Sequence, residues 1–217
     1  MLDPAVQRAN MVASQLRTND VTDARIQDAM LTIPRQDFVP ENSKSLAYAE
    51  CCISLKPGRV MLDPRAFAKL AELAAIRPED VVLDVGCGTG YSSAVLALLA
   101  GKVIALEEDA ELAARAEANL PSVGALNVQV VRGALADGCP QAAPFDVIFV
   151  NGAVETDPKS LLAQLRNGGR LVTVKRAGAA GYGCVYLNHE GAIGCRTAFD
   201  AHLPTLPGFE KPRSFVF

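Results

Sequence analysis

The residues Asp84-Val85-Gly86-Cys87-Gly88-Thr89-Gly90 set an acid and three alternating glycines behind the apolar run Val81-Val82-Leu83. An apolar stretch of helical composition follows, from Ser92 to Ala100. A strand that enters a glycine turn and leaves as a helix builds a site for a nucleotide-sized ligand, because backbone N–H groups and a helix N-terminus face it. Glycine permits the close approach, since a Cβ there would collide with the ligand. A dinucleotide fingerprint places its third glycine three residues after the second. Here that position is Tyr91, whose ring fits poorly where a pyrophosphate would lie. A second acid sits where a sugar would be. Glu107 closes the strand-like run Lys102-Val103-Ile104-Ala105-Leu106, about 20 residues beyond the first glycine, the distance at which a βαβ unit puts a carboxylate on ribose hydroxyls. The other reading of Glu107 is a surface acid capping the next helix, since Glu108 and Asp109 follow it.

Other chemistries are poorly supplied. The six cysteines (Cys51, Cys52, Cys87, Cys139, Cys184 and Cys195) form no Cys-x-x-Cys, and the two histidines are His189 and His202. No metal site is expected from such a set. Buried, reduced thiols are the expectation, with Cys87 as a small filler in the glycine turn. The adjacent Cys51-Cys52 reads as strand filler or as a thiol patch near an acceptor groove. Net charge is −3 with no Lys/Arg block, so no nucleic-acid partner is expected. No apolar run reaches the roughly 20 residues of a membrane span. The start, Met1 to Arg8, lacks the basic head and apolar middle of a signal peptide. The expectation is a cytoplasmic protein.

The elements that must position these residues follow from periodicity. Up to about residue 50, Val6, Met11, Val12, Leu16, Ile26, Met30 and Ile33 recur at helical spacing. Thr22-Asp23 reads as an N-cap, Pro34 as a stop, and Phe38-Val39-Pro40 as extended. Ile53-Ser54-Leu55 leads into the turn signal Lys56-Pro57-Gly58. Phe67, Leu70, Leu73 and Ala74 make a helix stripe. Strands are then expected at 81–85, 103–106, 128–131, 145–150 and 170–174, with helices at 92–100, 110–120 and 161–165 between them. Strands and helices alternating through short loops give an α/β fold with a doubly wound, parallel sheet. Gly178 to Gly183 reads as a flexible loop. Val185-Tyr186-Leu187, Gly194 to Phe199 and Ser214 to Phe217 read as strands without intervening helices, hence an antiparallel edge. The chain of 217 residues, half of them hydrophobic, suffices for one domain. Its expected parts are a helical cap with an acceptor loop (1–64), a cofactor core (65–176) and C-terminal strands (177–217).

The Asp-x-Gly-x-Gly-x-Gly turn resembles the first motif of S-adenosylmethionine (SAM) methyltransferases. The chain as a whole resembles the protein-L-isoaspartate O-methyltransferase family. Ile33-Pro34-Arg35-Gln36-Asp37-Phe38-Val39-Pro40 is similar to its "VPRExFVP", Ala47-Tyr48-Ala49-Glu50 to its "AYxD", and Gly58-Arg59-Val60-Met61-Leu62-Asp63-Pro64 takes the place of its "GQTISQP". Ala143-Pro144-Phe145-Asp146 matches "APFD", and Gln164 to Val172 resembles "QLxxGGRLV". The matches run in family order from about residue 15 to 175; the ordered set is specific where no single motif is. The resemblance implies a mostly parallel, seven-stranded, Rossmann-like sheet and SAM (or its product S-adenosylhomocysteine) as ligand. It also implies methylation of isoaspartyl carboxylates in damaged protein or peptide substrates. The implied cofactor residues are Asp84, Gly86, Cys87, Gly88, Gly90, Tyr91, Glu107, Glu108, Gly133, Ala134, Leu135 and Asn151.

Departures fall on the acceptor side. Val60 and Leu62 stand where the family has a Thr and a Ser beside the reacting groups, and Arg59 replaces a Gln. These three, Arg59, Val60 and Leu62, are the catalytic-loop positions. Arg59 is the cation available to hold an acceptor carboxylate; its other reading is a solvated turn residue. Gly133-Ala134-Leu135 replaces "GDG", so an adenine contact falls to backbone or to Asp137. Asn151-Gly152 is a site at the sheet edge or a plain turn, and Glu155 a pocket-edge or a surface acid. A carboxylate acceptor is ionised at neutral pH and requires no base, which suits a chain without a candidate base near the glycines. Two other readings stand on the same departures: methyl transfer to a different acceptor, and SAM binding without turnover.

Overall fold

The structure, a computed structural model, describes residues 3–212; the strand expected at Ser214 to Phe217 lies outside them. Helix α1 (Pro4–Met11) is started by Asp3, whose side chain accepts from Ala5 N, and runs on through wider and tighter turns to Asn19. Helix α2 (Ala24–Thr32) has Asp23 as its N-cap and stops before Pro34, whose ring excludes a further helical turn. Short 3₁₀ turns at Arg35–Phe38 and Glu41–Leu46 replace the extended start expected at Phe38. Strands β1 (Ile53–Lys56) and β2 (Arg59–Met61) then form a two-stranded antiparallel sheet around Pro57-Gly58. The stretch expected as an acceptor loop is thus one arm of a hairpin. Gly58, at φ 74°, supplies the left-handed residue of its turn. Helix α3 (Pro64–Ala74) follows, capped by Asp63.

The main sheet has the order β5-β4-β3-β6-β7-β8-β9. Its parallel part comprises β3 (Val81–Val85), β4 (Lys102–Glu107), β5 (Val128–Arg132), β6 (Phe145–Val154) and β7 (Leu165–Ala177). Helices α4 (Tyr91–Ala97), α5 (Ala110–Ser122) and α6 (Lys159–Leu162) connect them. Strands β8 (Ala180–His189) and β9 (Ala192–Asp200) add the expected antiparallel edge. The chain winds outward from β3 in one direction and from β6 in the other, so the two lie side by side at the switch point, where open α/β sheets leave a crevice.

Successive strand residues point to opposite faces, and the two faces bury separate cores. Val82, Val103, Val147, Phe149 and Val172 pack with the N-terminal cap, α3 and α4. Leu83, Val85, Ile104, Ile148 and Leu171 pack with α6 and with Leu206 and Phe209 of the C-terminal segment. Among the described residues no helix is long and apolar enough to cross a membrane.

Three expectations about elements are corrected. Residues 178–183 are no flexible loop: β7 and β8 stay paired to Ala177 and Ala180, closing tightly at Gly178. The helix expected at 161–165 covers Lys159–Leu162, and Leu165 already begins β7. Asn151-Gly152 is no plain turn. It lies inside β6, where the register against β7 shifts between Phe149 and Ala153. Pairing of β6 with β3 ends at Val150, so Asn151 stands where the two strands part.

Candidate functional site

The glycine turn leaves β3 with Gly86, Gly88 and Gly90 at φ 75°, 60° and 96°, conformations in which a side chain would be strained. Gly90 also lets α5 come close, since a Cβ there would lie 3.3 Å from Ala116 Cα. Beneath the turn, Asp84 Oδ2 accepts from Ser92 Oγ (2.7 Å) and Ser93 Oγ at the start of α4, while its Oδ1 accepts from Asn151 Nδ2. Asn151 Nδ2 also donates to Val85 O (3.2 Å). Asp84 therefore ties β3, α4 and β6 together. Burial pushes its carboxyl up to about 6, against the three hydrogen bonds that favour the ionised form.

Glu107, at the end of β4, is fully buried. It is not the surface acid of the alternative reading, although it does accept from residues that lead into α5. Its Oε2 accepts from Gly88 N (2.8 Å), and Oε1 accepts from Glu108 N (3.0 Å) and Asp109 N (3.1 Å). Asp109 is the N-cap of α5. The remaining acceptor capacity goes to Arg59. Its Nη1 bonds Oε1, and its Nη2 bonds Oε2 at 2.6 Å. This fork-to-carboxylate pair spans the crevice, and Arg59 is only 5% exposed. The solvated reading of Arg59 is overturned: β2 aims it inward, and both of its Nη atoms are engaged by the buried Glu107 carboxylate.

Two leucines complete the filling. A Cβ on Gly88 would lie 2.7 Å from Leu55 Cδ1; one on Gly152 would lie 2.5 Å from Leu206 Cγ. Leu206 also reaches Gly86. The space that the glycines leave open is thus taken by side chains of this chain. What remains is a hollow of about 20 Å³, lined by Arg35, Val60, Leu62, Tyr91 and Asn151 among others. That holds about one water. The crevice has the donors, the acid and the backbone conformation that an adenosyl cofactor requires, but the residues as arranged do not leave room for it.

Val60 and Leu62 line the hollow. Arg35, missed in the sequence, is fully buried there: its Nε donates to Ala47 O (2.7 Å), its Nη2 to Leu62 O, and its Nη1 has no partner among the described residues. Its guanidinium lies 4.8 Å from the Tyr91 ring centroid. Tyr91 packs between Phe38 and Phe67, with its hydroxyl beside the Arg35 guanidinium. It is a wall of the cap more than a contact for a nucleotide. Cys87 is buried and its thiol lies far above the ordinary range, which suits a filler. Glu108 is half-buried and Ala134 exposed. Gly133 N donates to Glu107 O (3.2 Å), whereas Leu135 turns into the core with Leu106 and Leu206. Asp137 is exposed, away from the hollow. Cys51 and Cys52 do not line it; Cys52 Sγ faces Asp63 Oδ2 at 3.8 Å, and burial pushes its thiol up to about 11. Glu155 is neither pocket edge nor bare surface. It holds the C-terminal segment by accepting from Thr205 Oγ1 (3.0 Å) and Lys211 N (2.8 Å).

The family model for protein-L-isoaspartate(D-aspartate) O-methyltransferase matches residues 7–179. The chain belongs to this family. A Koribacter versatilis protein-L-isoaspartate O-methyltransferase is 42% identical over 168 residues, covering 77% of this chain and 76% of that protein. One from Synechococcus is 42% identical over 78% of this chain and 70% of its own. A solved protein-L-isoaspartate O-methyltransferase superposes with TM-score 0.80 at 24% identity, over 93% of this chain and 66% of that one. A Plasmodium falciparum structure, described as this enzyme in complex with S-adenosyl-L-homocysteine, superposes with TM-score 0.79 at 19% identity, over 92% of this chain and 97% of that one. At these identities the superpositions bear on the fold. The family is one of SAM-dependent O-methyltransferases, and the seven-stranded Rossmann-like sheet described above is its fold.

Proposed function

We propose that this protein transfers a methyl group from SAM to the carboxylate of isoaspartyl residues in damaged protein or peptide substrates, in the cytoplasm. The observation that carries this reading is family membership together with the retained cradle: three left-handed glycines, and a buried acid one strand along. SAM supplies both the electrophilic methyl and its leaving group, so the protein's share of the work is positioning. The chain's own residues are suited to that. Glu107 is the acceptor for sugar hydroxyls once it is free, and Gly86 and Gly88 give the backbone approach. An acceptor carboxylate is already ionised, so its grip calls for donors and no base. Arg35, buried at the hollow beside the Tyr91 hydroxyl, is the available cation in place of Arg59. We read 1–64 as the cover with its acceptor wall, 65–176 as the cofactor core and 177–217 as closing strands.

The test is methyl transfer from labelled SAM to an isoaspartyl peptide and to a matched aspartyl control. Base-labile label on the isoaspartyl peptide alone is expected. Label on neither peptide, with label on proteins of a cell extract, would transfer the activity to another acceptor. That second reading is favoured by the apolar wall of Val60 and Leu62.

A further inference from the structure

We propose that Arg59 sets the cofactor affinity of this protein: its guanidinium occupies Glu107 in place of the cofactor's ribose hydroxyls, and the cofactor enters only when Arg59 withdraws. The inference rests on the reading that the crevice binds SAM.

The competition is one for lone pairs and for space. A carboxylate offers about four lone-pair sites. Glu107 already receives three backbone N–H groups and two guanidinium nitrogens. A diol could be added only by removing donors, and the backbone groups are fixed by the turn and by the start of α5. Arg59 is the donor able to leave. Space gives the same answer, since Arg59 Nη2 would lie 3.1 Å from a Cβ on Gly86, against the backbone that a cofactor must touch. Pockets for ligands of this size measure roughly 300–1,000 Å³, and the hollow has about 20 Å³.

The element that bears Arg59 is suited to moving. The hairpin is a sheet of two short strands separate from the main one, a kind of unit that is marginal alone. Across the crevice it is fastened by Arg59 and by Lys56, which pairs with Asp109 (2.8 Å) and Glu111 (2.7 Å). The Lys56 contacts are partly exposed and hold weakly. Arg59 Nε, in addition, is buried with no partner among the described residues, and withdrawal would return it to water. Leu55 sits on the same hairpin, so one displacement clears Gly88 and Glu107 together and takes the nearest side chain away from Gly86, where Leu206 stays.

When the competent state is a minor fraction, apparent affinity falls by that fraction. A state populated at about 1–10% gives a 10- to 100-fold penalty. The experiment is calorimetric titration of S-adenosylhomocysteine into the wild type, Arg59→Ala and Arg59→Lys. Arg59→Ala is expected to bind at least about tenfold tighter than the wild type, with Arg59→Lys between them. Equal affinity in wild type and Arg59→Ala overturns the proposal and leaves the SAM-binding reading standing. No binding by any of the three removes both. Should Arg59→Ala fail to fold, hydrogen exchange on the wild type decides. Saturating S-adenosylhomocysteine is expected to speed exchange in residues 53–61 while slowing it at 86–90. A hairpin that becomes more protected on binding overturns the proposal.

Discussion

Asp84 carries a titration whose direction its surroundings fix. Burial pushes its carboxyl up to about 6, against 3.8 for an ordinary aspartate, and outweighs the hydrogen bonds from Ser92, Ser93 and Asn151 that favour the ionised form. Between those two values the folded state holds the extra proton, so stability attributable to Asp84 falls as pH rises through the window. The full loss is about 3 kcal/mol. Urea unfolding of the wild type and Asp84→Asn at pH 3.5 and pH 7 measures it. The wild-type advantage is expected to shrink by about that amount at the higher pH, and a constant difference would contradict the assignment. At this scale the sequence was only partly legible. The glycines and Glu107 could be picked out because spacing along one βαβ unit fixes where they go. The partner of Glu107 could not, since it comes from a hairpin 48 residues away in sequence and short-range patterns do not reach that far. Arg35 was hidden for the same reason. Its burial depends on Ala47 and Leu62 carbonyls that only the folded cap brings together.

The strand–turn–helix element makes a graded prediction for its glycines. Gly88→Ala and Gly90→Ala both place a side chain at positive φ, a strain of about 1–2 kcal/mol. At Gly88 the added methyl meets the tip of Leu55, which can rotate away; at Gly90 it meets the α5 backbone at Ala116, which cannot. Gly90→Ala is therefore expected to be the more destabilising, by about 1 kcal/mol or more beyond Gly88→Ala. Denaturant midpoints of the two variants check the order, and a reversed order would mean that α5 yields more easily than Leu55. The elements themselves were legible wherever periodicity was long, as in β3, β4, α5 and β6. They were misread where the pattern was short. Arg59–Met61 is three residues, too few to show alternation, and the β7–β8 closure was masked by the glycines around Gly178.

For the whole molecule, the C-terminal segment is what joins the second core to the crevice. Leu206 N donates to Ala153 O (3.0 Å) and Ala153 N to Pro204 O (2.9 Å), pairing the segment alongside β6. This seats Leu206 between Gly86 and Gly152. Leu206→Ala is expected to lower stability by about 3 kcal/mol, as a deleted buried isobutyl group does. The measurement is the urea midpoint at unchanged slope, and a shift under about 1 kcal/mol would show that the segment is not part of the packed fold. Nothing in the sequence marks residues 201–209 as structural, because they form no helix and their pairing with β6 is a single bridge. The alternation of strands and helices, by contrast, was enough to give the sheet and its winding.

The two ionic fastenings of the hairpin, beside the packing of Ile53 and Met61 in the core, differ in how they answer to ionic strength. Lys56 and its acids stand partly in solvent, where 1 M salt shortens the screening length to about 3 Å and dissolves most of their attraction. The Arg59–Glu107 pair has almost no solvent between or around its charges. Mobile ions therefore loosen the outer clasp and leave the inner one shut, so a change in salt alone is a poor key to this crevice.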